Sequence, residues 1–138
     1  MWGFKPRPID RAVFFILSVL HILSALYLIG PWYLDMDRGR TSPLINMFNS
    51  GDAVMTYGIL VLVDGIALLY AAVGRGVNYA KITGYALLAG FLLRLYSLIG
   101  VFLISQSWRP PSYLSHAASV LILAVYWIWV KVSERPIQ

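Results

Sequence analysis

The chain of 138 residues contains no cysteine, and only 12% of it is charged. The missing cysteines exclude disulfides, cysteine-ligated zinc, iron–sulfur clusters and thiol redox chemistry. Acid is scarce in particular, with six Asp and Glu against eleven Lys and Arg. Soluble domains carry about 25% charged residues. A soluble globule of this length cannot hide a composition that is 59% hydrophobic, and such a composition equally excludes disorder. Also lacking are a glycine-rich phosphate loop, since Gly74-Arg75-Gly76 is too short, a pair of carboxylates within an apolar run, and a recognisable Ser/His nucleophile arrangement. The excess of basic residues forms no stripe and accompanies no nucleic-acid motif, so nucleic acid is not an expected partner. What remains is a single integral membrane domain over 1–138, without enzymatic chemistry, whose first partner is the lipid bilayer.

Four apolar runs are present, over 12–33, 53–73, 82–104 and 113–130. Each is close to the ~20 residues that cross a hydrocarbon core of roughly 30 Å. Lipid offers nothing to an unpaired backbone N–H or C=O, so each run is expected to be helical. Unbroken apolar stretches at 60–63 and 121–125 argue against a transmembrane β-barrel. The expected fold is all-α: an antiparallel bundle of four transmembrane helices. Asp10 and Asp52 are placed to cap the first two helices, and Gly30-Pro31 to end the first. Tight turns are expected at 74–76 and 108–111. In the longest loop, Thr41 or Ser42 followed by Pro43, with Gly51 beyond, reads as a short helix lying in the membrane interface, the alternative being a plain loop that covers the mouth of the bundle. Lys5, Arg7 and Arg11 precede the first run as in a signal peptide. That run is too long for one, and no A-x-A-like site follows it, so it reads as a retained span.

Four spans put both termini on the side of the 74–76 turn. That side carries Lys5, Arg7, Arg11, Arg75, Lys81, Lys131 and Arg135, and the other Arg38, Arg40 and Arg109. The positive-inside rule then places both termini in the cytoplasm, in a plasma or inner membrane.

Three ionisable residues fall near mid-span: His21, Asp64 and Arg94. A charge at the bilayer centre costs roughly 2.5–3.5 kcal/mol even on the mild insertion scale, so such groups face protein or water and take partners. At about 1.5 Å per residue the three depths are compatible with contact. Runs two and three are joined by a tight turn, which makes an Asp64–Arg94 ion pair the natural pairing. Gly90, Arg94 and Ser97 form one helical row, as do Ser18, His21 and Ala25, and Tyr57, Leu60, Asp64, Leu68 and Ala71 share a face. His21, Asp64, Arg94 and Ser97 are therefore the expected buried cluster, either a packing device or a proton or ion site. His116 and Ser119 at the outer end of the fourth run are candidates for a gate. The two histidines lie at different depths, which speaks against a shared haem iron. Asp35-x-Asp37 lacks the further oxygens of a calcium loop, so no metal or cofactor is expected.

In layout alone the chain resembles DoxX-like proteins, small multidrug exporters and some phage-encoded membrane proteins. The exporters' acidic residue in the first span is His21 here, and the CxxC of quinone-linked thiol enzymes is missing. The resemblance therefore assigns no role to any residue. The leading expectation is a non-enzymatic accessory or assembly component, acting as a homo-oligomer or in a larger membrane complex. The alternatives are an oligomeric small channel or proton-coupled transporter, and a holin-like pore former.

Overall fold

The computed structural model describes residues 4–33, 51–105 and 110–133, with side chains at 4–29, 55–99 and 117–133. It contains four helices among these residues: α1 (Pro8–Tyr33), α2 (Gly51–Val73), α3 (Tyr79–Ser105) and α4 (Pro110–Ser133). Three of them are long and apolar enough to cross a membrane, over Pro8–Ile29, Met55–Val73 and Tyr79–Ile99. The expected interface helix in the long loop lies outside the described residues.

The ends of the helices differ from expectation in instructive ways. Arg11 N–H donates to the Arg7 carbonyl oxygen at 3.1 Å, so Arg7 is the N-cap residue of α1 and Pro8 takes the first helical position, where its missing N–H costs nothing. Asp10 thus caps from within the first turn. Its carboxylate accepts the Arg7 backbone N–H at 2.8 Å, the returning arm of a capping box. The Arg7 guanidinium lies on the same carboxylate at 3.1 and 3.2 Å. At the far end, α1 continues through Gly30-Pro31 to Tyr33, because a proline so close to the C-terminus forfeits a single N–H bond. Helix α2 starts at Gly51, with Asp52 inside its first turn. Of the expected turn at 108–111, Pro110 and Pro111 instead open α4, a position suited to proline, and 108–109 lie outside the described residues.

Neighbouring helices run antiparallel. The N-terminus of α1, the connector at 74–78 and the C-terminus of α4 meet at one end. There Arg11 Nη1 donates to the carbonyl oxygens of Ala72 and Gly74, each at 3.0 Å. The Tyr79 hydroxyl donates to the Ala71 carbonyl oxygen. These bonds satisfy the orphan carbonyls that end α2, and the Arg11 charge suits that negative pole. The connector turns at Gly76, whose φ of +116° is a conformation that L side chains rarely adopt. Phe4 packs edge-on against Trp129 at 5.0 Å, and Phe14 against Tyr126 at 4.9 Å, closing this end with aromatic rings.

The Tyr126 hydroxyl also donates to Asp10 at 2.8 Å, joining α4 to α1. Asp10 is fully buried, so this is a bond to a buried charge. Tyr126→Phe is expected to cost about 1.5–3 kcal/mol, read by unfolding in detergent micelles. Tyr70→Phe, which loses only an exposed bond to the Arg75 carbonyl, is expected to stay within about 0.5 kcal/mol of the parent.

The core contains Phe14, Leu17, Leu68, Leu87, Leu123 and Val130. Nearer the other end, Ala25, Leu28, Tyr57 and Val61 form a second cluster. The outer surface is as apolar as the core: Phe15, Leu23, Val63, Ile66, Leu92 and Val125 are all more than half exposed. Polar side chains, meanwhile, are buried, among them Asp10, Ser18, His21, Asp64 and Ser97. Water does not stabilise such an inverted surface, whereas lipid does.

Candidate functional site

The site begins with how α1 sits on α2. A Cβ added to Gly58 would lie 2.7 Å from Ile29 Cγ1, and one added to Gly65 would lie 2.9 Å from Ile22 Cγ1 and 3.2 Å from the Ile22 backbone nitrogen. These two glycines stand seven residues apart on one side of α2 and admit the backbone of α1. The Ser18 hydroxyl donates to the Gly65 carbonyl oxygen at 2.7 Å. This seating rotates the buried arc of α2. Tyr57, Val61, Asp64, Leu68 and Ala71 face inward, while Leu60, expected on that face, is 52% exposed.

The same seating brings His21 over Asp64. The two side chains are 1% and 3% exposed, and His21 Nε2 lies 3.3 Å from Asp64 Oδ2. The distance is that of an ion pair, but the angles do not make a hydrogen bond, and neither carboxylate oxygen has a hydrogen-bond partner among the described residues. The carboxylate fits because residue 90 on α3 is glycine. A Cβ there would stand 2.7 Å from Asp64 Oδ2 and 3.3 Å from Leu123 Cδ2 of α4.

Arg94 completes the cluster from α3. The expected direct Asp64–Arg94 pair is not formed; the imidazole of His21 lies between the two charges. Arg94 Nη2 donates to Ser24 Oγ at 3.2 Å and lies 3.5 Å from His21 Nδ1. Burial of the wide imidazole at the α1–α2 contact is the physical reason, since it occupies the space that a direct bridge would need. His21 Nδ1 is also 2.9 Å from the Leu17 carbonyl oxygen. A carbonyl only accepts, so Nδ1 carries hydrogen, and Arg94 acts on the ring as a neighbouring charge. It follows that Nε2 of a neutral ring turns a bare lone pair to the carboxylate. One proton held between Nε2 and Oδ2 removes that repulsion, as imidazolium with carboxylate or imidazole with carboxylic acid.

Ser97 is buried as expected but belongs to the next layer. Its hydroxyl donates to the Tyr57 hydroxyl and lies 3.2 Å from the Leu93 carbonyl oxygen. Tyr57 donates to that same carbonyl at 2.7 Å. Of the gate candidates, Ser119 is buried on α4, while the His116 side chain lies outside the described residues. Sequence reasoning passed over Ser24, Gly58 and Gly65. The spacing of Ser24, three residues after His21, was the available signal for the first, and the seven-residue interval between the glycines for the others.

Fold and site together describe a small helical membrane protein with ionisable side chains gathered inside it. Comparison with protein-family models, with curated proteins and with solved structures gives no match to this chain, so the functional reading rests on its own geometry.

Proposed function

We propose that the chain is a four-pass protein of the plasma or inner membrane with both termini in the cytoplasm, acting as a non-enzymatic accessory or assembly component. The observation that carries this reading is the cluster itself: Asp64 of α2 and Arg94 of α3 both converge on α1, at His21 and Ser24. Buried ion pairs often add little net stability but specify an arrangement, and here three helices are fixed in register around one imidazole. Support for the fourth crossing is the apolar outer face of α4, where Leu121, Val125 and Ile128 are exposed. Support for the orientation is the gathering of Arg7, Arg11, Arg75, Lys81 and Lys131 at one end of the helices, on the side that the positive-inside rule assigns to the cytoplasm.

The chain has no cysteine, so single introduced cysteines test the topology cleanly. Arg75→Cys is expected to react with a membrane-impermeant maleimide only after the cytoplasmic face is opened, and Arg40→Cys in intact cells. The reverse pattern overturns the orientation. Cross-linking in native membranes is expected to capture the chain with a second copy or a partner in one defined complex. A chain recovered alone overturns the assembly role.

A second reading, a small proton-coupled transporter or channel in an oligomer, is favoured by one observation: among the described residues both Asp64 oxygens lack a hydrogen bond although a histidine stands 3.3 Å away. Its titrating members would be His21 and Asp64, since arginine stays charged. This reading expects proton flux into liposomes that rises with chain density between about pH 5 and 8 and is lost in Asp64→Asn. Flux equal to that of empty vesicles removes it.

A further inference from the structure

At the end of the bundle that gathers the basic residues, the seam between α3 and α4 has a chemistry that the buried cluster does not use. Gly84 of α3 opens a notch against α4. A Cβ there would lie 3.5 Å from Val130 Cγ1 and 4.0 Å from Lys131 Cε. The Lys131 stem therefore lies across α3, and its ammonium stands 5.7 Å from the centre of the Tyr85 ring, a cation–π distance. Lys81 is one helical turn before Tyr85 on the same face of α3. Both lysines and Tyr85 are exposed. The Lys131 ammonium thus stands by the Tyr85 phenol at the mouth of the seam, and Lys81 shares that face of α3 one turn away.

Apolar side chains continue from that mouth along both helices. On α3, Tyr85, Leu92 and Tyr96 are exposed in one row, and on α4, Val132, Ile128, Val125 and Leu121 are exposed in another. The spacing of both rows repeats the helical turn. Two positive charges with an aromatic hydroxyl at one end, and apolar ridges running from them for several turns, complement a molecule with an anionic head and long hydrocarbon tails. Basic pockets between transmembrane helices on the cytoplasmic side are suited to such headgroups.

We propose that Lys81, Tyr85 and Lys131 form a site for the phosphodiester headgroup of an anionic phospholipid of the cytoplasmic leaflet, with the acyl chains lying along α3 and α4. The two ammonium groups neutralise the phosphate, and the Tyr85 ring holds Lys131 over the seam. The inference rests on the membrane reading and is separable from it: extraction with alkaline carbonate tests insertion, whereas lipid preference tests the site.

The experiment reconstitutes the full-length chain in vesicles of phosphatidylcholine doped with spin-labelled phosphatidylglycerol or spin-labelled phosphatidylcholine. The immobilised fraction of each is read by electron paramagnetic resonance. The parent is expected to hold phosphatidylglycerol in preference to phosphatidylcholine. Each lysine removed is expected to lower the relative affinity about fivefold, from about 1 kcal/mol per basic residue near the surface. Lys81→Gln combined with Lys131→Gln is expected to abolish the preference, and the double arginine variant to keep it. Arg75→Gln, on the connector away from the seam, is expected to leave it unchanged. Inorganic phosphate at constant ionic strength is expected to have no effect, because a free anion has no tails to lay on the ridges. A parent without preference, a double glutamine variant that retains it, or equal loss in Arg75→Gln overturns the proposal. Loss of the preference on adding phosphate overturns the lipid as occupant and assigns the charges to a free anion.

Discussion

Arg94→Leu lowers the stability of the bundle by about 3–5 kcal/mol, the cost of removing one member of a buried charged group and stranding the other. The stranded group is Asp64, 4% exposed and facing His21 and the backbone at Gly90. Asp64→Leu is expected to cost a similar amount, since it removes the carboxylate that offsets the Arg94 charge and leaves the guanidinium with neutral neighbours such as Ser24 Oγ and the flank of an imidazole. The double replacement is expected to recover much of the loss, because a neutral His21 keeps its bond to the Leu17 carbonyl and no uncompensated charge remains. The measurement is a double-mutant cycle of unfolding free energies in mixed micelles. Purely additive losses would show that the two charges do not act on one site.

Gly65→Val is expected to be comparably severe for a different reason. The new Cβ would stand 3.1 Å from His21 Cβ and 3.2 Å from the Ile22 backbone nitrogen. The first is a rigid part of a side chain fixed by its own hydrogen bond, and the second is main chain, so neither gives way. Helix α1 must lift from α2, which breaks the bond from Ser18 to the Gly65 carbonyl and withdraws His21 from Asp64. Overpacking in tight interiors costs about 1–3 kcal/mol, and this position belongs at the top of that range. Gly84→Ala, where the nearest atom would be 3.5 Å away, is expected to be nearly neutral. Thermal unfolding in the same micelles separates the two, and a Gly65→Val variant as stable as Gly84→Ala would show that α1 is not seated on this glycine.

The two expectations locate the boundary of what the residues reveal on their own. The helical rows of Ser18, His21 and Ala25 on α1 and of Gly90, Arg94 and Ser97 on α3 were legible because polar or small residues at helical spacing within apolar runs have one inward arc to occupy. All of them but Arg94 are buried, and Arg94 places its guanidinium on the same interior. The row on α2 was less legible. Leu60 and Val61 lie on opposite shoulders of the arc centred on Asp64, and hydrophobicity does not distinguish them. Gly58 and Gly65 do, but only through a partner helix resting on them.

The same distinction separates the members of the cluster from its wiring. Composition and the long apolar runs determined by themselves that this is a helical membrane protein, because a backbone out of water must bond to itself and buried charge must find company. Depth counted along each helix gave the heights of His21, Asp64 and Arg94. Height says nothing of rotation about the axis or of how closely two helices approach. Tertiary packing decided those, through glycines that admit α1 to α2 and through a histidine wide enough to stand between a carboxylate and a guanidinium that would otherwise meet.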